Sequence, residues 1–202
     1  MRNDLSNWSS LTVEEISTIF SSIPMTWCIA GGWALDLHLG YKSRQHHDID
    51  VFIMRDEQLT AYGHLKKNWV LYKAQGGNLT IWEEEEFLNA PDDDIWVSKN
   101  EKSPWAFQIM LVDSEKGNWV YKRVNSITRK LDEISLKTSE GIPYLKPEIQ
   151  LLYKGGVPNI REKDEQDFQT LLPSLSIQEK IWLKIALEKQ FQGKHSWIKY
   201  LG

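Results

Sequence analysis

Two aspartates flank a single isoleucine at Asp48-Ile49-Asp50, and the apolar run Val51-Phe52-Ile53-Met54 follows directly. The whole run reads as a strand entering a core. Side chains alternate faces along a strand, so the two carboxylates share one face. Like charges ~7 Å apart repel each other unless both are solvated or a cation sits with them. Upstream, the apolar stretch Met25 to Ala30 ends at Gly31-Gly32, and fifteen residues separate Gly32 from Asp48. The spacing predicts a buried strand, a glycine turn, a helix over Trp33 to Leu39 closed by Gly40, and then the acidic strand. Glycine lets the backbone approach a pyrophosphate closely, and bare N–H groups at a helix start attract phosphate. Mg²⁺ takes oxygen ligands and shares substrate phosphates. Each half alone is ordinary, a tight turn and an acidic strand face. Together they point to a nucleotide-handling site, with Gly31, Gly32 and Trp33 at the phosphates and Asp48 and Asp50 at a metal.

These residues carry a family resemblance. Gly31 to Asp36 and Arg44 to Asp50 together resemble the signature of the nucleotidyltransferase superfamily, and most closely the enzymes that modify aminoglycosides and lincosamides. The likeness is specific over roughly residues 25 to 55; Pro147 to Lys154 and Arg161 to Phe168 look like the helical C-terminal part of small relatives. The resemblance implies an α/β, DNA polymerase β-like fold: a mixed sheet with flanking helices and a small C-terminal helical lobe. It implies Mg²⁺-assisted transfer of a nucleoside monophosphate from ATP or another nucleoside triphosphate to a hydroxyl of a small molecule. An aminoglycoside-like antibiotic is one such acceptor.

The family pattern also expects a third carboxylate on a later strand, as metal ligand and general base. The best strand is Trp105 to Asp113, and the expected position falls near Gln108. An amide can ligate weakly through its oxygen but cannot take a proton as a base. Asp94 and Asp113 are the neighbouring acids that could substitute. A bound triphosphate needs positive charge opposite the metal. Arg44, Lys154 and Lys163 are candidates, although Arg44 is weighed first as the partner of an internal carboxylate such as Asp36. Lys163 and Asp167 stand at i, i+4 on a helix, where they could simply pair. His46 and His47 suit a structural role or a phosphate contact better than Mg²⁺, which prefers oxygen.

Composition narrows the partners. A net charge of −4 lacks the basic footprint of nucleic-acid binding and suits a cationic small acceptor. Glu83 to Glu86 and Asp92 to Asp94 read as solvated loops, or more sharply as an acidic wall facing that acceptor. Cys28 is the only cysteine and reads as a buried thiol. With no signal peptide and no apolar run long enough for a membrane helix, the chain reads as cytoplasmic. Nothing in the sequence sets the oligomeric state. Most of the ten tryptophans belong in the core, with Trp96 and Trp105 as candidates for an acceptor cleft.

Helices are expected over Leu11 to Ser22, with a Thr12/Glu15 capping box, over Asp56 to Lys67, and over Pro147 to Tyr153, Glu162 to Leu172 and Ile177 to Phe191. Strands are expected over Trp69 to Lys73, Leu79 to Trp82, Ile95 to Ser98, Trp105 to Val112 and Trp119 to Arg123, with a hairpin at Gly76-Gly77. The expected division is an α/β domain over residues 1–143 and a helical lobe over 144–202. Two other functions fit the same residues. One is a toxin-like nucleotidyltransferase acting on RNA or protein. The other, motivated by Gln108, is a non-catalytic nucleotide-binding protein.

Overall fold

The computed structural model describes residues 2–202. Backbone contacts divide the chain into two compact units, Met1–Trp33 with His46–Ser114, and Ala34–Gln45 with Glu115–Gly202.

The first unit contains α1 (Val13–Ser21), β1 (Trp27–Ala30), the first turn of α2 (Gly31–Leu39) and β2 (Asp50–Met54). A 3-10 turn over Arg55–Glu57 then runs into α3 (Gln58–Leu65). Four strands follow: β3 (Val70–Gln75), β4 (Asn78–Ile81), β5 (Asp94–Ser98) and β6 (Trp105–Val112). The strands lie in the order β1-β2-β6-β5-β3-β4. β2 and β6 run parallel and the other neighbours antiparallel, so the sheet is mixed, as expected. Local chemistry accounts for most of these elements. Thr12 caps α1 and Glu15 reaches back to the Thr12 N–H at 2.8 Å, completing the capping box. Val13, Ile16 and Phe20 face inward at helical spacing. Gly76 and Gly77 both adopt positive φ in the two-residue turn that joins β3 to β4. Cys28, Ile29, Val51, Phe52, Ile53, Phe107 and Ile109 form the buried centre of the sheet.

The two-residue strand β7 (Ser114–Glu115) leads into the second unit, which contains β8 (Asn118–Val120), β9 (Thr128–Lys130), β10 (Ser135–Lys137) and β11 (Pro143–Leu145). Helices α4 (Pro147–Gly155), α5 (Glu162–Leu171) and α6 (Ile177–Phe191) follow. Residues 115–143, which the sequence groups with the first lobe, go with the helices here. Their aromatics explain why. The Trp119 indole N–H donates to the Tyr153 hydroxyl at 3.2 Å, and the Tyr121 hydroxyl donates to the Leu152 carbonyl at 3.2 Å. The ring of Phe168 stacks flat on Trp197, with centroids 4.1 Å apart. Among the described residues no helix is long and apolar enough to cross a membrane.

Candidate active site

Sheet register brings the glycines to the acid. Asp50 opens β2, opposite Ala30 on β1 and Gln108 on β6. Ala30 is the residue before Gly31, so the turn is delivered to the Asp50 carboxylate by strand pairing. Gly31 adopts φ +67, and a Cβ there would lie 2.0 Å from Asp50 Oδ2. Backbone conformation and available space therefore both demand glycine. α2 starts at Gly31 itself, two residues earlier than the sequence suggests. Asp48 precedes the strand. It and Asp50 are half-buried on either side of fully buried Ile49, the alternation expected of two carboxylates sharing a face. The Trp33 ring packs against buried His46, with centroids 5.0 Å apart. The His47 carbonyl accepts the Ser10 hydroxyl at 2.6 Å.

Gln108 stands beside Asp50 where a third carboxylate was expected. Its Nε2 donates to Asp94 Oδ1 at 2.9 Å. Asp94 opens β5 two residues before Trp96, the residue in register with Gln108, so Asp94 and Gln108 share a face. Adjacent strands are ~4.8 Å apart, which puts Asp94 about 10 Å across the sheet from β2. Among the described residues no group of three or more His, Cys, Asp or Glu could hold a metal. The donor set is two carboxylates and one amide. Mg²⁺ is commonly held by one or two carboxylates completed by phosphates and waters, so these residues fit it.

Asp113 does not join this set. It lies past the end of β6, five residues beyond Gln108, a separation of about 17 Å along an extended chain. Buried Arg55 holds it instead, pairing with Asp113 and Asp93 and donating Nη1 to the carbonyls of Leu88 (3.2 Å) and Asp92 (2.9 Å). Burial would lower the Arg55 pKa, but the two carboxylates outweigh it and raise it. This staple fixes the chain just before Asp94.

Of the two acid runs, Glu83, Glu84 and Glu85 are exposed, in keeping with the solvated-loop reading. Glu84 pairs with Lys66, Glu86 with Lys73, and Asp92 accepts Gln75 Nε2 at 2.6 Å. Trp105 is wholly buried beneath the Arg2 guanidinium, 3.7 Å from its ring, and cannot line a cleft. Trp96 is half-buried between Trp8 and Trp105.

Within the second unit the expected cations meet carboxylates. Arg44 forks onto Asp167 through Nε at 2.7 Å and Nη2 at 2.9 Å. Asp36 is not its hydrogen-bond partner; Asp36 accepts the Ser43 N–H at 3.1 Å and the Ser43 hydroxyl. Lys154, 7% exposed, bridges Asp164 at 3.0 Å and Asp167 at 2.8 Å. Arg161 adds a fork on Asp164. Burial pushes both aspartates up, but the surrounding cations prevail and hold each below the usual carboxylate range. Lys163 is exposed, and the carboxylate expected to pair with it, Asp167, is held by Arg44 and Lys154. Arg44 thus has the internal-carboxylate partner weighed first for it, though at Asp167 and not Asp36, and Lys154 is engaged by two carboxylates of the same unit.

Residues 12–73 match the model of the aminoglycoside-2''-adenylyltransferase family, a stretch that contains Gly31, Gly32, Asp48 and Asp50. The structure resembles the lincosamide antibiotic adenylyltransferase LnuA with lincomycin bound, at 18% identity and a TM-score of 0.55, covering 82% of this chain and 97% of that one. It resembles ANT(2'')-Ia in complex with adenylyl-2''-tobramycin at 12% identity and a TM-score of 0.55, covering 88% and 95%. An antigenic nucleotidyltransferase-like protein from Paracoccidioides brasiliensis matches at 14% identity and a TM-score of 0.51, covering 94% and 89%. This is the nucleotidyltransferase fold. No curated protein matches the sequence.

On this nucleotidyltransferase frame, sequence reasoning missed two sets of residues. One is the Arg55 staple with Gln58, whose Nε2 donates to the Leu88 carbonyl at 3.1 Å while its Oε1 accepts the Leu88 N–H at 2.8 Å. The other is Asp164 and Asp167 as anchors of Arg44, Lys154 and Arg161. An arginine directly after an apolar strand was the only available signal for the first. Nothing local marks the second.

Proposed function

We propose that this chain is a Mg²⁺-dependent nucleotidyltransferase that moves a nucleoside monophosphate, AMP from ATP in the first instance, to a hydroxyl of a small antibiotic-like molecule. The observation that carries this reading is the close fit of Gly31 against the Asp50 carboxylate, with half-buried Asp48 two residues before it in the chain. It joins a phosphate-accommodating turn to a cation-attracting pair. The match of residues 12–73 to an adenylyltransferase family and the antibiotic complexes of the fold neighbours support the same chemistry.

Asp48, Asp50 and the Gln108 amide oxygen would hold the metal, which supplies charge neutralisation on the triphosphate when bound. The backbone at Gly31 and Gly32 accommodates the phosphates. Gln108 turns its NH₂ to Asp94 and so keeps its oxygen as the ligating end, with the Asp94 charge polarising the amide from behind. The acceptor oxygen forms a bond to the α-phosphorus, the bond from that phosphorus to the bridging oxygen breaks, and pyrophosphate departs with the electron pair. The acceptor's proton passes to Asp94, the nearest acid to the third-carboxylate position. Positioning and charge stabilisation supply most of the rate.

Calorimetry with a nonhydrolysable ATP analogue, with and without Mg²⁺, tests the binding half. Asp48→Asn/Asp50→Asn should abolish Mg²⁺-dependent affinity, and unchanged affinity would sink the proposal. Adenylyl transfer to an aminoglycoside and lincosamide panel tests the chemistry. Asp94→Asn should lower turnover about 10²-fold, the usual contribution of a general base. The lack of a three-acid group among the described residues favours one competitor, a nucleotide-binding protein without turnover. Tight Mg²⁺-ATP binding with no transfer to any acceptor, and no gain in Gln108→Glu, would establish that competitor.

A further inference from the structure

Two segments share one flank of β6 end to end. β2 takes it from Gln108 onward, where the Gln108 N–H donates to the Ile49 carbonyl at 2.9 Å. The N-terminal segment takes it before that. Trp8 bridges Trp105 in parallel, and the Ser9 and Leu11 N–H groups donate to the carbonyls of Trp105 and Ala106, each at 3.0 Å. β5 occupies the opposite flank, with Ser98 in register with Trp105. The seam between the two segments falls beside the loop that carries Asp48. The Ser10 hydroxyl crosses it to the His47 carbonyl at 2.6 Å.

Ser10 is a firm anchor. Its neighbours on both sides are bonded to β6, and Thr12, two residues on, closes the capping box of α1. What it holds is the peptide unit of Asp48. The His47 carbonyl and the Asp48 N–H lie in one plane, so fixing the oxygen fixes the direction in which the Asp48 backbone leaves it. Asp48 needs such a hold. It lies outside β2, which starts at Asp50. Its carboxylate and that of Asp50 carry like charge two residues apart, and they repel when no cation stands with them. Pairing with β6 restrains the chain after Asp48, through Ile49, and Ser10 restrains it before.

We infer that Ser10 is a positioning residue for Asp48, holding the backbone of that metal ligand in place before any metal arrives. Less ordering then remains when Mg²⁺ and a triphosphate bind. The inference rests on the nucleotide reading of the site and gives Ser10 no contact with substrate.

The full chain, labelled with ¹⁵N and free of metal, supplies the first readout. The Asp48 amide of the parent should show the order parameter of rigid backbone, about 0.85, and Ser10→Ala should lower it towards the flexible range, below about 0.6. Ser10→Thr keeps the hydroxyl and should restore it. Calorimetry with a nonhydrolysable ATP analogue supplies the second readout. Ser10→Ala should weaken Mg²⁺-dependent affinity roughly three- to tenfold, the scale of one hydrogen bond, with Ser10→Thr close to the parent. Ser22→Ala is the control. It too loses a hydroxyl bond to a backbone carbonyl, that of Ile19 at 2.8 Å, so its denaturation midpoint should fall by a similar amount while its affinity stays at the parental value. An Asp48 amide equally rigid in Ser10→Ala would overturn the inference, and so would a loosened Asp48 with parental Mg²⁺-dependent affinity. An equal loss of affinity in Ser22→Ala would also overturn it, by making the effect one of stability alone. If the parent itself shows no Mg²⁺-dependent binding, it is the nucleotide reading that fails, and the metal-free Asp48 amide alone decides whether Ser10 holds the loop.

Discussion

Two pairs of aspartates in this molecule differ in burial and in setting. Asp48 and Asp50 stand half-exposed at a strand start, one of them pressed against a glycine backbone too close for any Cβ. Asp164 and Asp167 are 1% and 4% exposed on a helix and are locked by Arg44, Lys154 and Arg161. The buried pair has its counter-ions from within the chain, and removing one partner leaves an uncompensated charge. The half-exposed pair stands where a solvated cation can reach it. Acid content therefore says little about role. Burial and place in the fold say more.

The largest test of this contrast is Asp167→Ala. It should cost about 3–5 kcal/mol in chemical denaturation, because Arg44 and Lys154 lose a buried partner. Asp48→Asn/Asp50→Asn should change stability by less than about 1 kcal/mol while losing Mg²⁺-dependent nucleotide binding. Equal destabilisation by the two changes would break the comparison. Gly31→Ala comes next, at about 1–3 kcal/mol with loss of nucleotide affinity, from left-handed strain and collision with Asp50. Wild-type affinity in Gly31→Ala would remove that glycine from the site.

Acid titration sharpens the contrast further. Asp164 and Asp167 have folded pKa values below their unfolded ones, so their stabilisation is complete above pH ~4 and is lost as pH falls through the folded values. Thermal melts should hold level down to about pH 4 and drop below it, and Asp167→Asn should flatten that drop. A drop centred near neutrality would contradict the assignment. Smallest of all, Lys163→Ala should shift stability by no more than about 0.5 kcal/mol, since Asp167 is already taken.

What the sequence made legible was local. The Thr12/Glu15 box, the Gly76-Gly77 hairpin, the Trp105–Val112 strand and the Ile177–Phe191 helix are each encoded within a few residues, and each is found. The meeting of Gly31 with Asp50 was legible because register is set by two flanking apolar strands. The Arg44–Asp167 fork spans 123 residues, and nothing near either residue specifies it. The strands β9, β10 and β11 are three residues each, too short for an alternating pattern to stand out. Asp113 misled because nearness in sequence along a strand still means more than 15 Å in space, on the order of 3.3 Å per residue.

Cys28 has a practical consequence. It is the only thiol in the chain, it sits in β1 where Ala30 pairs with Asp50, and burial both shields it and raises its pKa. A thiol-reactive dye is therefore refused by the closed molecule and accepted when β1 parts from its neighbours. The natural sequence thus carries its own chemical clock for opening of the sheet beneath the Gly31 turn. Slower labelling in the presence of Mg²⁺ and a triphosphate would measure ligand protection without any engineered probe.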